Sequence, residues 1–128
     1  MTGVNEFEQR AAELIEAGRT LYQMGMVPAT SGNFSARLAD GRIAITVSGR
    51  HKGRLTVDDI MLIDAAGHSL DGRRPSAETA LHLQIYRRFP DAAAVLHPNQ
   101  VAVKSATDAA LSLGPLLGKA AMAVFLAG

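Results

Sequence analysis

Apolar residues recur with helical spacing near the start of the chain. Phe7, Ala11, Leu14, Ile15, Gly18, Leu21 and Tyr22 fall on one stripe, with Glu8, Glu13, Glu16 and Arg19 largely off it. The pattern predicts a helix over 5–24, closed by Gly25 and Pro28. ATSGNFSARL (29–38) reads as a loop running into a short strand, and Asp40-Gly41 as a hairpin turn. RIAITVSG (42–49) is the return strand, with Ile43, Ile45 and Val47 alternating. After a polar loop, IMLIDAAGHSL (60–70) reads as a strand turning through Ala65, Ala66 and Gly67. A second helix is expected over 76–88, with Ser76 as N-cap, Glu78 in its first turn and Pro90 ending it. AAAVLH (92–97) is a short apolar strand expected to be buried on both faces. The order α-β-β-β-α-β predicts a mixed α/β sheet domain.

Residues 98–128 read differently. Among 97–128 only Lys104, Asp108 and Lys119 are charged, and the ending GPLLGKAAMAVFLAG has hardly any polar face. This divergent tail is expected to be helical, and a helix apolar nearly all round must be buried. The length of 128 residues suits one domain, of which 1–97 form the α/β part and 98–128 the divergent low-charge tail. The net charge of +1, with no Lys/Arg cluster, argues against a nucleic-acid or membrane-surface partner. Without cysteine there is no disulfide, thiolate zinc site or Cys nucleophile, which fits a reducing compartment. The acidic, amphipathic N-terminus does not read as a signal peptide, and a cytoplasmic protein is expected.

Four segments could carry chemistry. TSGNFS (30–35) offers backbone N–H groups, hydroxyls and an amide, a set that can hold a phosphate, although an ordinary turn is the favoured reading. In TVSGRHKG (46–53), Ser48 and the Gly49 N–H could bind phosphate oxygens and Lys52 could add charge, or the segment could be a solvated loop. Ser76 at a helix start could aim free N–H groups at an anion. Glu78 is either a dipole-stabilising carboxylate or a general acid/base. Glu78 and His82, four apart, could clamp a metal, but a helix-face hydrogen bond is the favoured reading. His97 ends a buried strand, a common place for a ligand, yet a catalytic zinc wants three protein ligands. The spacing of His51 and His68 suggests no metal pair.

PATSGNFSARL, AITVSGRHKGRLTVDDIMLID and RRPSAETALHLQIYRRFPDAAAVLH together resemble, in order and spacing, the class II aldolase/adducin family. SGRHKG followed by LTVDDIMLID and RPSAET is similar more narrowly to its branch that dehydrates 5-methylthioribulose 1-phosphate in methionine salvage. The resemblance covers about residues 8–97 and implies an αβα sandwich with a mixed central sheet. By position it implies that Ser31, Gly32, Asn33, Ser48, Gly49 and Ser76 line a substrate phosphate pocket. It places Glu78 as the catalytic acid/base, and His97 as the first histidine of a His-x-His zinc motif. The implied reaction is a zinc-dependent lyase step from the phosphorylated ketose to the 2,3-diketo-5-methylthiopentyl 1-phosphate, in a homo-oligomer. Three departures stand against it. Pro98-Asn99 replaces the second histidine, the tail lacks the branch's EGYE-like acid, and the third histidine would lie beyond residue 128. The final third of the domain is therefore expected to be missing, zinc weakly held or absent, and turnover by this chain small. A class II sugar-phosphate aldolase or epimerase, and a non-catalytic adducin-like binding module, are the alternatives.

Overall fold

The computed structural model describes residues 5–98 and 123–125. Helix α1 spans Glu6–Gln23. Asn5 caps it: its side chain accepts from the Glu8 N–H at 2.8 Å, and Glu8 reaches back to the Asn5 N–H at 3.4 Å. The buried face is Ala11, Leu14, Ala17, Gly18 and Leu21. Tyr22, expected on the same stripe, is largely exposed and lies against the His51 ring, with centroids 4.8 Å apart.

Strands β1 (Asn33–Arg37) and β2 (Ile43–Thr46) form the expected hairpin through Asp40-Gly41. Two 3-10 turns, Lys52–Arg54 and Val57–Asp59, lead into β3 (Ile60–Ile63). The strand expected over 60–70 stops at Ile63. Asp64 turns the chain there, its carboxylate accepting from the Ala66 and His68 N–H groups at 3.0 and 2.8 Å.

Helix α2 spans Thr79–Arg88, so it starts later than the sequence predicts. The reason is an extended segment beside β2. Val47 bridges Pro75, and the Ser76 N–H donates to the Thr46 carbonyl at 3.2 Å. Ser76 is thereby held extended and is not the N-cap. Its hydroxyl instead accepts from the Glu78 N–H at 3.2 Å in a tight turn. Glu78 occupies the N-cap position, not the first turn, and its carboxylate makes no capping bond. At the far end of α2, the Arg37 guanidinium collects carbonyls of Tyr86, Phe89, Pro90 and Ala92.

Strand β4 (Ala94–His97) is buried along its whole length, as expected. Among the described residues five strands form one sheet in the order β3-β2-β1-β4-β5, where β5 is Ala123–Phe125. Only the β4–β5 pair is parallel, so the sheet is mixed. The helix expected in the tail otherwise lies outside the described residues; 123–125 itself is extended. No helix among the described residues is long and apolar enough to cross a membrane.

The strand period of two divides the core. Phe34, Ala36, Ala44, Ile60, Ala94 and Leu96 pack with α1. The intervening residues Ile43, Ile45, Met61, Ile63 and Val95 pack with Leu83, Ile85 and Tyr86 of α2. The two helices therefore cover opposite faces, which is the αβα sandwich.

Candidate active site

The site residues gather at one end of the β1–β4 pair. Antiparallel register sets Asn33 directly opposite His97. Gly32 precedes Asn33 with φ +84°, a left-handed conformation, and a Cβ there would stand 3.0 Å from the His97 carbonyl and 2.9 Å from Val27. Glycine is thus required on both counts: the loop has no room for a side chain as it passes the end of β4.

The other two loops lie alongside. The Ser48 N–H donates to the Arg74 carbonyl at 3.1 Å, so the loop after β2 and the segment leading to Ser76 run together. Lys52 then joins the TSGNFS and SGRHKG loops. Its ammonium donates to the Thr30 carbonyl at 3.1 Å and to the Arg50 carbonyl at 2.6 Å. The residue is 2% exposed. Burial lowers its pKa to about 8, only partly opposed by Asp59. The sequence reading has Lys52 adding charge to the loop; in the structure two of its donors go to the backbone of the two loops.

Glu78 and His97 meet across elements, with the Glu78 carboxylate 3.6 Å from His97 Nδ1. The histidine is buried, and its Nδ1 has no hydrogen-bond partner among the described residues. The Glu78 side chain is about half-exposed at 48%. The expected Glu78–His82 pair does not form: neither the clamp nor the helix-face hydrogen bond is present, because Glu78 turns toward β4 and His82 toward β1.

His82 is fully buried and engaged at both nitrogens. Nδ1 lies 2.6 Å from Ser35 Oγ, and Nε2 bonds to Asn33 Oδ1. Ser35 Oγ is also 2.8 Å from Tyr86 Oη. Burial, with His97 nearby, pushes the His82 pKa down to about 4, so the ring is neutral. Burial likewise raises the Tyr86 phenol and keeps it protonated. The sequence reading missed this polar chain. Its only signal was that His82 and Tyr86 stand four apart on the helix while Asn33 and Ser35 alternate on the strand.

Chemically, the arrangement offers a half-exposed carboxylate beside an imidazole nitrogen that has no hydrogen-bond partner among the described residues, next to loops rich in N–H and hydroxyl groups. Glu78 and His97 are both suitable metal donors. Among the described residues, however, no group of three His, Asp or Glu side chains is placed to hold a metal ion. A catalytic zinc takes three protein ligands and keeps one position open, so the described residues do not complete such a centre.

The chain is 76% identical over 97 residues to a methylthioribulose-1-phosphate dehydratase of Methylococcus capsulatus, covering 76% of this chain and 48% of that protein. It is 55% identical over 95 residues to the enzyme of the same name from Pseudomonas paraeruginosa, covering 73% and 46%. The chain thus spans about half the length of the curated relatives it matches. Among solved structures it resembles YgbL of Klebsiella pneumoniae, a putative aldolase/epimerase/decarboxylase (TM-score 0.68, 27% identity, covering 75% of this chain and 46% of that one). It also resembles the L-fuculose-1-phosphate aldolase of Thermus thermophilus (TM-score 0.62, 32% identity, covering 73% and 48%). The family profile described as the Class II Aldolase and Adducin N-terminal domain matches residues 12–127 and so passes beyond His97 into the tail. With that profile spanning nearly the whole chain and the fold shared with its aldolases, the protein belongs to the class II aldolase and adducin N-terminal domain family.

Proposed function

We propose that the chain carries the phosphate-binding and proton-transfer part of a methylthioribulose-1-phosphate dehydratase, working on a phosphorylated ketose in methionine salvage. The observation that carries this reading is the convergence at the end of β1 and β4. Asn33 faces His97 in register, Glu78 stands 3.6 Å from His97, and Lys52 ties together two of the candidate phosphate loops. The 76% identity to a dehydratase, against 32% to an aldolase, favours dehydration over carbon–carbon cleavage. A cytoplasmic homo-oligomer is part of the same reading.

In this reading Ser31, Gly32, Asn33, Ser48, Gly49 and Ser76 hold the phosphate through hydroxyl, amide and backbone N–H groups. Glu78 takes the proton from the carbon beside the ketone. The electron pair left behind forms an enediolate. Expulsion of the next hydroxyl, which leaves as water on receiving a proton, and tautomerisation then give the 2,3-diketone phosphate. Class II aldolases are generally metal-dependent, and zinc when bound would polarise the ketose oxygens. His97 and Glu78 are the described residues suited to hold it, two donors of the set it needs.

Calorimetric titration of the purified chain with 5-methylthioribulose 1-phosphate tests the reading. Saturable binding is expected, and the same ketose without its phosphate should bind far more weakly. No binding, or equal binding of both, would overturn it. Wherever turnover is detectable, a diketone phosphate is the expected product; an aldehyde with dihydroxyacetone phosphate would transfer the chain to the aldolases. Zinc per chain after dialysis into metal-free buffer is expected to fall well short of one. A value near one would mean that residues beyond the described ones complete the centre.

A further inference from the structure

The buried chain Tyr86–Ser35–His82–Asn33 has a direction that its own atoms decide. Suppose Asn33 turned its NH2 toward His82 Nε2. His82 Nδ1–H would then donate to Ser35, and Ser35 to Tyr86 Oη. The buried phenol proton would be left without an acceptor among the described residues: its hydroxyl meets Ser35 Oγ and the Val95 backbone N–H there, and the latter is itself a donor. In the opposite direction the Tyr86, Ser35 and His82 protons each have an acceptor. The Tyr86 hydroxyl donates to Ser35 Oγ, the Ser35 hydroxyl to His82 Nδ1, and His82 Nε2–H to Asn33 Oδ1. The Asn33 carbonyl oxygen is then occupied, and no group among the described residues accepts from its NH2.

We propose that His82 is a positioning residue, which pins the Asn33 carboxamide so that its NH2, not its carbonyl oxygen, faces the phosphate of the substrate. An anion is repelled by an amide oxygen and bound by an amide NH2, so the orientation of one buried side chain sets the polarity that β1 presents to its ligand. Ser35 and Tyr86 act behind it by fixing which His82 nitrogen carries the proton. The ligand in this inference rests on the phosphate reading of the Asn33 loop, and the orientation of the amide does not.

Two measurements separate these parts. Long-range 1H–15N spectra of the 15N-labelled full chain should show His82 as the neutral tautomer protonated at Nε2. Protonation at Nδ1 would overturn the inference with no ligand involved. Inorganic phosphate is then titrated against the Asn33 side-chain NH2 resonances. Wild type should shift them. His82→Leu should weaken binding about tenfold, the worth of one well-made hydrogen bond. His82→Gln, which keeps an N–H donor near the position of Nε2, should restore most of the loss. Equal affinity in the Leu and Gln variants would overturn the positioning role. If His82→Leu fails to fold, Tyr86→Phe substitutes for it: it keeps the ring, removes the first donor, and should reduce the Nε2 tautomer preference and phosphate affinity together. An unchanged Tyr86→Phe protein would overturn the inference. Failure of wild type to bind phosphate while the Nε2 tautomer is present would reject the phosphate reading of the loop, and with it the ligand assigned here.

Discussion

On the α1 side of the sheet, Phe34, Ala36, Ala94 and Leu96 meet Ala11, Leu14, Ala17 and Leu21 in continuous apolar packing. One residue along the same strands, Asn33, Ser35 and His97 face α2, where His82 and Tyr86 answer them with a ring and a hydroxyl. The strands are shared, and the difference lies in the parity of residue number. Even positions of β1 and β4 exclude water and hold the fold together, while odd positions at the strand ends hold the candidate site residues Asn33 and His97. A strand buried on both faces can do this because each face has its own helix. The polar face costs little only because its buried groups are paired with one another, the nitrogen of His97 alone having no partner among the described residues of that face.

The largest effect should come from the apolar face. Phe34→Ala removes a fully buried ring from the α1 core and should cost about 3–5 kcal/mol of unfolding free energy in urea titration. A loss below about 1 kcal/mol would mean that the two faces are not divided as described.

Lys52→Met should be intermediate, at about 1–3 kcal/mol, because it leaves the Thr30 and Arg50 carbonyls without their shared donor. It also carries a pH signature. The folded pKa of about 8 lies below the ordinary value of 10.5, so between these values the unfolded chain binds more protons. Stability contributed at Lys52 therefore rises with pH across that window, and the unfavourable burial of its charge is felt in full below it. The stability of wild type relative to Lys52→Met should increase from pH 8 toward pH 10.5. A flat difference would show that the ammonium is not desolvated.

Glu78→Gln should have the smallest effect on stability, within about 0.5 kcal/mol, since its carboxylate is half-exposed and caps nothing. It should nevertheless abolish any exchange of the ketose proton beside the carbonyl with deuterium in solvent. Exchange at the wild-type rate would remove Glu78 from the reaction. A stability loss like that of Phe34→Ala would remove it from the surface of the site.

Much of this was legible beforehand. The capped stripe of α1, the Asp40-Gly41 hairpin and the apolar run of β4 depend on local periodicity and turn chemistry, which act over a few residues. The segments quoted for the family resemblance also run together at one end of the β1–β4 pair. The start of α2 was misread because Ser76 has every local mark of an N-cap, and only pairing of its N–H with Thr46 of another element cancels them. The Glu78–His82 pairing failed for a related reason: spacing along a helix says which residues share a face, not which strand that face meets.

The amino-acid order by itself determined the elements, the alternation that gives the sheet two buried faces, and the family of the chain. Tertiary structure alone decided the partners of the polar groups. It set Asn33 opposite His97, turned Glu78 from His82 toward His97, and buried the Lys52 ammonium between two loops. Backbone propensity is a short-range property, whereas the partner of a buried donor or acceptor comes from whichever element packs against it. Among the buried side-chain hydrogen bonds of the described residues, those partners lie as many as 51 residues away along the chain.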